Sequence, residues 1–178
     1  TRAEAKDFLE RSLRLDPNIV GAWLELAYVE SLGYQTRYLH STTSTAEQVG
    51  QLARVKKAID AAVRLAPDSP EVIRGLGEYY YRCYFDYPRA LQQFEKLAQL
   101  QPNDAGGIAL LAAVQRRQGR WPESLGSFRT AVQLDPGNFT NARDFASVLA
   151  AGRRFDEARD QQRQIVERLP DDFGAGFE

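Results

Sequence analysis

Proline constrains this 178-residue chain more than any other residue, because all eight prolines lie at the joints of one repeating unit. Five of them close similar phrases, spaced 50, 35, 34 and 34 residues apart. These phrases are Leu15-Asp16-Pro17-Asn18, Leu65-Ala66-Pro67-Asp68, Leu100-Gln101-Pro102-Asn103, Leu134-Asp135-Pro136-Gly137 and Leu169-Pro170-Asp171. Proline is tolerated in the first turn of a helix and just past its end, but not in its interior. A period near 34 residues with this punctuation predicts an all-α solenoid of antiparallel helix pairs, with about nine helices.

The second helix of each unit carries a repeated packing pattern. A small residue is followed four places later by a large apolar one, and three places after that by another small or apolar one. Spacings of four and three place all three side chains on one helix face. The sets are Ala5/Leu9/Ser12, Val55/Ile59/Ala62, Ala90/Phe94/Leu97, Ser124/Phe128/Ala131 and Ala158/Gln162/Ile165, of which the last is broken by its glutamine.

The first helices carry a complementary pattern, in which a bulky residue precedes a large–small pair by three places. The sets are Trp23/Leu26/Ala27, Ile73/Leu76/Gly77, Ile108/Leu111/Ala112 and Ala142/Phe145/Ala146. Turn phrases containing Gly119 and Gly152 separate the two helices of the later units. We expect each glycine to take the left-handed conformation that ends a helix.

These patterns resemble the tetratricopeptide repeat (TPR), whose pattern runs W-x2-L-G-x2-Y, then A-x3-F, then P. The resemblance covers essentially the whole chain and implies a right-handed superhelix. Phrases such as Gly119-Arg120-Trp121-Pro122-Glu123 are similar to TPR regions of bacterial multidomain regulatory proteins. The resemblance therefore implies a protein-binding scaffold within a larger bacterial protein.

The predicted domain organisation is a single TPR array over residues 1–178. Its parts are 1–17, the second helix of a truncated repeat; 18–69, an expanded repeat; three regular repeats at 70–103, 104–137 and 138–171; and 172–178, the start of another truncated repeat.

The expanded repeat has about sixteen extra residues between Ser31 and Val55. Ser44 followed by Glu47 predicts a capping box that opens a helix running to Leu65. We expect a preceding helix to end near Leu39, so that both helices of this hairpin are two turns longer than usual. The hairpin 31–55 is either a tolerated extension or a docking site, with Tyr34, Tyr38, Leu39 and His40 near its tip.

One extra residue in the next repeat falls in the aromatic segment 79–85, where five of the seven residues are Tyr or Phe and the other two are Arg82 and Cys83. These aromatic side chains cannot all face one core from a single helix. We expect them to pack against the long hairpin; a ligand-stacking surface is the alternative.

Composition excludes several classes of function. The sequence contains no run of about eighteen apolar residues, so it predicts no membrane-spanning helix. The net charge of −1 gives no general reason to expect a nucleic-acid partner. With one cysteine, Cys83, and one histidine, His40, the sequence predicts no disulfide, metal site or cofactor. We expect Cys83 to be a small buried hydrophobe, the location to be cytoplasmic, and the absence of any Met to mark a piece of a longer chain.

Catalytic motifs are absent from the sequence: there is no GxSxG or phosphate-binding loop, and one His and one Cys cannot supply a convincing triad. Gly75 and Gly77 lie in a first helix, where they permit close packing. The sequence therefore predicts that the protein is not an enzyme.

The first helices of a TPR array line its concave groove, so their outward positions predict a peptide-binding site. The candidates are Tyr28, Arg74, Glu78, Tyr81, Arg82, Arg116, Arg117 and Arg143. Five arginines with one acidic residue indicate a basic groove suited to an acidic peptide. The lysine and asparagine clamp of chaperone-binding TPR domains is not reproduced, because Leu24, Tyr28, Arg74 and Glu78 hold those positions.

Three alternatives to peptide capture remain open. The chain is a structural spacer, a helical-repeat RNA binder, or a self-association module. RNA-reading repeats need a strongly basic surface, which the charge disfavours. An end-to-end homodimer would use Phe8, Leu9 and Leu13 at one end and Ile165, Phe173 and Phe177 at the other.

Overall fold

A computed structural model describes residues 1–40 and 45–168, with the side chains of residues 1–32 and 46–168. These ranges contain nine α-helices, one π-helix and no β-strand. The α-helices are α1 (Arg2–Leu15), α2 (Val20–His40), α3 (Thr45–Leu65), α4 (Pro70–Tyr79), α5 (Tyr87–Leu100), α6 (Ala105–Arg117), α7 (Trp121–Leu134), α8 (Phe139–Ala151) and α9 (Phe155–Arg168), and the π-helix is Tyr80–Tyr84. The predicted all-α fold is confirmed.

Two compact units divide the chain, Thr1–Leu100 and Gln101–Glu178. In the first unit α2 packs against α3, α1 and α4, and α4 packs against α5. In the second unit α6 packs against α7, and α8 packs against both α7 and α9. Few residues separate the helices of each pair along the chain, so the paired helices run antiparallel. The predicted repeat bounds remain a prediction.

Capping residues explain where the helices begin. In α4 the Ser69 side chain accepts a hydrogen bond from the Val72 N–H at 3.2 Å, and Pro70 occupies the first turn, where its missing N–H costs nothing. Asp104 and Asn138 cap α6 and α8 in the same way. The proline phrases are thus followed by a polar cap that opens the next helix.

The predicted packing patterns are buried in the central pairs. Val55, Ala62, Phe94, Leu97 and Ala131 are all at most 1% exposed. In the first pattern Ala5 is exposed, and in the last Gln162 is exposed, so the pattern weakens at both ends of the described chain. The small residues act as predicted: a Cβ added to Gly77 would lie 2.5 Å from Cε1 of Phe94.

The turns differ from the prediction at one glycine. Gly119 has a φ of +74° and ends its helix as expected, but Gly152 has a φ of −79°. Arg153, one residue later, takes the left-handed conformation instead, with a φ of +59°. Three backbone N–H groups still bond back into α8 at this turn, from Gly152, Arg153 and Arg154 to carbonyls of residues 148–150. These bonds hold Arg153 in a conformation that glycine would adopt at lower cost.

The extra residue of repeat 70–103 is absorbed by the π-helix. A π-turn holds one more residue than an α-turn, so the helical backbone continues from α4 through Tyr84 without a loop. Phe85 then ends the element in the left-handed conformation, with a φ of +54°. Tyr79, Tyr80 and Cys83 pack on the core of α2 and α3, as the packing interpretation predicts, and Tyr84 is 48% exposed.

The long hairpin has the predicted helix ends, at His40 and Thr45. The side chains of Tyr34, Tyr38, Leu39 and His40 and the proposed capping residue Ser44 lie outside the described residues, as do Phe173 and Phe177. No helix in the described part of the chain is long and apolar enough to cross a membrane.

Candidate functional site

Three predicted site residues meet in the first unit. Tyr28 comes from α2, Glu78 from α4, and Arg82 from the π-helix. The Arg82 guanidinium lies 5.7 Å from the centre of the Tyr28 ring, and its Nε lies 3.2 Å from Oε2 of Glu78. Stacking of a guanidinium on an aromatic face contributes about 0.5–1 kcal/mol at exposed sites. We call Tyr28, Glu78 and Arg82 the Tyr28 cluster.

Side chains of the Tyr28 cluster are reachable from solvent to different degrees. Tyr28 is 42% exposed, whereas the side chains of Arg82 and Glu78 are 20% and 18% exposed. The ring is therefore the most accessible member, and the ion pair beside it is partly desolvated. The salt bridge also cancels one of the positive charges that the sequence predicts for this surface.

Arg74 and Tyr81, the other predicted site residues of this unit, are half-buried. The Tyr81 ring centre lies 5.8 Å from that of Tyr87, tilted by 52°, which holds the ring against the start of α5. Tyr81 therefore has a packing role within the unit.

Arg116, Arg117 and Arg143 belong to the second unit. The Arg116 guanidinium lies 6.0 Å from the centre of the buried Phe128 ring, so its side chain covers the core of the α6–α7 pair. Arg117 is exposed. Arg143 is also exposed, with its side chain 71% exposed and its Nε 4.0 Å from Oδ1 of Asp144.

The first unit also contains a buried carboxylate, Glu30, that was not predicted from the sequence. Glu30, on α2, is 5% exposed, and one carboxylate oxygen lies 2.6 Å from Nζ of Lys6 on α1 and 2.8 Å from Nε of Arg54 on α3. Burial raises the pKa of Glu30, but the hydrogen bonds from Arg54 and Lys6 outweigh it and hold the pKa below its ordinary value. One buried carboxylate thus links three helices.

The signal for Glu30 was present in the sequence. It follows Trp23, Leu26 and Ala27 at helical spacing, so it continues the buried face of α2. An acidic residue on an apolar face requires basic partners from neighbouring helices, because an unpaired buried charge is costly.

Cys83 is buried, and burial raises the pKa of its thiol to about 12. A thiol with this pKa is not a nucleophile near neutral pH. No cluster of three or more metal-ligating side chains occurs among the residues described.

Comparisons with known proteins give structural matches alone. No protein-family model matches the chain, and no curated protein shows significant sequence similarity to it. The solved structure of MamA residues 41 to the end, from Desulfovibrio magneticus RS-1, matches with a TM-score of 0.65 and 16% identity, over 93% of this chain and 84% of that one.

Two further solved structures are similar. TTC0263, a thermophilic TPR protein from Thermus thermophilus, matches with a TM-score of 0.69 and 16% identity, over 82% of this chain and 71% of that one. YrrB, described as a TPR protein with an unusual peptide-binding site, matches with a TM-score of 0.60 and 16% identity, over 97% of this chain and 80% of that one. Together with the helix pairs and their buried packing patterns, these matches show that the chain has the TPR fold.

Proposed function

We propose that this chain is a non-catalytic protein-interaction module that binds a segment of a partner protein on its first-helix surface. The observation that carries the proposal is the Tyr28 cluster, in which an exposed aromatic ring lies against an arginine from a different helix. Tyr and Arg are enriched among the residues that dominate binding energy at protein interfaces. Both are held in place here before any partner arrives, which lowers the entropy cost of binding.

We further propose that the partner segment is acidic. In the first unit the predicted site has Arg74 and Arg82 against Glu78, and in the second unit it has Arg116, Arg117 and Arg143, of which Arg143 lies 4.0 Å from Asp144. Arginine binds carboxylates through two parallel hydrogen bonds, which gives orientation as well as attraction. The resemblance to bacterial regulators supports a place for this module in a larger regulatory protein.

Selection of random peptides on the immobilised full chain tests this function. Recovered peptides are then measured by fluorescence anisotropy against the parent, Tyr28→Ala and Arg64→Ala. Arg64 is an exposed arginine near the end of α3, outside the proposed site, and serves as the control for a side-chain truncation elsewhere on the surface. We expect Tyr28→Ala to weaken binding about 30-fold, the cost of losing a dominant interface side chain of about 2 kcal/mol, and Arg64→Ala to leave it unchanged. Peptides that bind the parent and Tyr28→Ala equally would exclude this surface.

Self-association is a second candidate, because Phe8 is 69% and Leu15 is 89% exposed on α1. Of the residues predicted for this face, Leu13 is buried in the core with α2 and α3, and Leu9 packs partly against that core. Ile165 is half-buried on α9. Light scattering across a concentration series, on the parent and on Phe8→Glu, tests the dimer. A parent that remains monomeric at all concentrations excludes it.

A further inference from the structure

A groove separate from the Tyr28 cluster opens between α1, α2 and α3 in the first unit. It encloses about 320 Å³, at the lower end of the roughly 300–1,000 Å³ typical of ligand pockets. Its apolar lining comes from Leu13 on α1 and from Trp23 and Leu26 on α2. We call this the α1–α3 groove.

The apolar lining is well defined. Leu13 and Leu26 are buried in the core of the unit, so neither moves aside readily. The Trp23 indole N–H donates a 2.8 Å hydrogen bond to the Pro17 carbonyl. Because the only polar group of the indole is already bonded, the ring offers the groove an apolar surface.

Charged side chains form the rim. The rim consists of the exposed cations Arg14 on α1 and Arg54 and Lys57 on α3, and the lining also includes the carboxylates Glu10 and Glu30. Glu30 is already neutralised by Arg54 and Lys6, as described above. Glu10 lies 3.9 Å from Lys6, which adds a fourth cation to this end of the unit. The rim therefore has excess positive charge at Arg14 and Lys57, both of which are exposed.

Glu30 also links the three helices that line the groove. Lys6 and Arg54 approach the same carboxylate from the two walls, so α1 and α3 are each tied to α2. Breaking either contact would leave the buried Glu30 carboxylate less well compensated, so the two contacts together hold α1 and α3 against α2. The groove is thus preformed, which favours binding without rearrangement.

We infer that the α1–α3 groove is a second docking site, which takes a partner peptide segment carrying a large apolar side chain next to a carboxylate. The apolar side chain enters between Leu13, Trp23 and Leu26, and the carboxylate meets Arg14 and Lys57 at the rim. Charge complementarity selects this occupant, because an apolar pocket under a cationic rim excludes basic segments.

Nuclear magnetic resonance with blocked dipeptides tests this inference on the full chain. The probes are acetyl-Leu-Asp-amide, its neutral isostere acetyl-Leu-Asn-amide, and acetyl-Ala-Asp-amide. The chain has two tryptophans, so Trp23 reports on the groove, and Trp121, in the other unit, is the internal control. We expect the Trp23 indole resonance to shift saturably with the Leu-Asp probe, and about three- to ten-fold more weakly with either of the other two. Trp121 should not move.

Substitutions in the rim test whether the Asp carboxylate of the probe binds there. Arg14→Gln combined with Lys57→Gln should weaken the Leu-Asp probe about ten-fold and bring its affinity to that of Leu-Asn. Lys56→Gln is the matched control, because this neighbouring lysine on α3 pairs with Asp60 at 2.6 Å and does not line the groove. Tyr28→Ala should leave the Trp23 response unchanged, which separates this site from the proposed first-helix site.

Several outcomes overturn the inference. A Trp23 resonance unmoved at about 10 mM probe excludes useful affinity. Equal shifts at Trp23 and Trp121 indicate non-specific binding. Equal affinity for Leu-Asp and Leu-Asn would show that the cations of the rim do not bind the carboxylate. A Trp23 resonance that shifts with protein concentration alone would mean that a second copy of the chain fills the groove.

Discussion

Replacing Gly77 by alanine separates close packing from helix propensity, because the two effects have opposite signs at this position. Alanine is favoured over glycine in a helix interior by about 1 kcal/mol. At Gly77, however, the added Cβ would lie 2.5 Å from Cε1 and 2.9 Å from Cδ1 and Cζ of Phe94. Ordinary carbon contacts lie at about 3.5–4.0 Å, so the ring would have to move by about 1 Å.

The Phe94 ring is 0% exposed, so a movement of this size would push it against other core side chains. Overpacking of a well-filled core costs about 1–3 kcal/mol, and a contact this short belongs at the upper end. Subtracting the propensity gain leaves a predicted net loss of about 2 kcal/mol for Gly77→Ala. Gly50 is the control, because it lies inside α3 and its added Cβ would meet nothing nearer than Arg54 Nη1 at 3.7 Å. Gly50→Ala should therefore gain about 0.5–1 kcal/mol.

Urea unfolding measures both free energies. Far-UV circular dichroism follows the whole chain, and fluorescence in a Trp121→Phe background follows Trp23 in the first unit. A double-mutant cycle with Phe94→Leu should show a coupling of at least about 1 kcal/mol, because the smaller side chain makes room for the methyl group. If the free energy of unfolding of Gly77→Ala were as high as that of Gly50→Ala, the packing argument would be refuted.

Three other predictions concern single side chains. Glu30→Gln should lower the free energy of unfolding by about 1–3 kcal/mol at neutral pH. Since the folded-state pKa of Glu30 lies below its unfolded value of about 4.3, the extra stability of the parent is present above that value and is lost as the pH falls through the folded pKa. Urea titrations of both proteins at pH 7 and pH 3 would show this loss. Ser124→Ala should cost about 1 kcal/mol, because the buried hydroxyl donates a 2.8 Å hydrogen bond to the Ala112 carbonyl; no change by thermal unfolding would contradict this. Cys83 should react with a thiol reagent at pH 8 only as fast as the first unit opens, since burial raises its pKa to about 12; labelling as fast as that of a free thiol would place it at the surface.

The repeat framework could be predicted because it depends on side-chain size at fixed spacing. The match between Gly77 and Phe94 needs one small and one large residue on facing helices, and both positions follow from the period. The period also places the starts of the repeats at 70, 104 and 138, close to the starts of α4 at Pro70, α6 at Ala105 and α8 at Phe139.

Features that depend on several chain segments together could not be predicted. The spacing showed one extra residue near Tyr80, but whether it forms a loop or a π-turn is decided by the packing of Tyr79 and Cys83 on α2 and α3. The two partners of Glu30 lie on different helices, one before it and one after it in the sequence, and no local pattern pairs them.

In the candidate site, the repeat period predicts which helix position a residue occupies but not which side chains it contacts. Arg82 and Arg143 belong to the same predicted set of outward arginines, yet their side chains are 20% and 71% exposed. A long side chain reaches several neighbours, and the one it selects depends on which charges other helices bring near it. Replacing all the arginines by alanine at once would therefore mix lost binding with lost packing, because Arg82→Ala also leaves Glu78 without its salt bridge. Tyr28→Ala avoids this ambiguity, because it removes an exposed ring while the ion pair beside it remains, and so a loss of peptide binding in that variant reports on the surface itself.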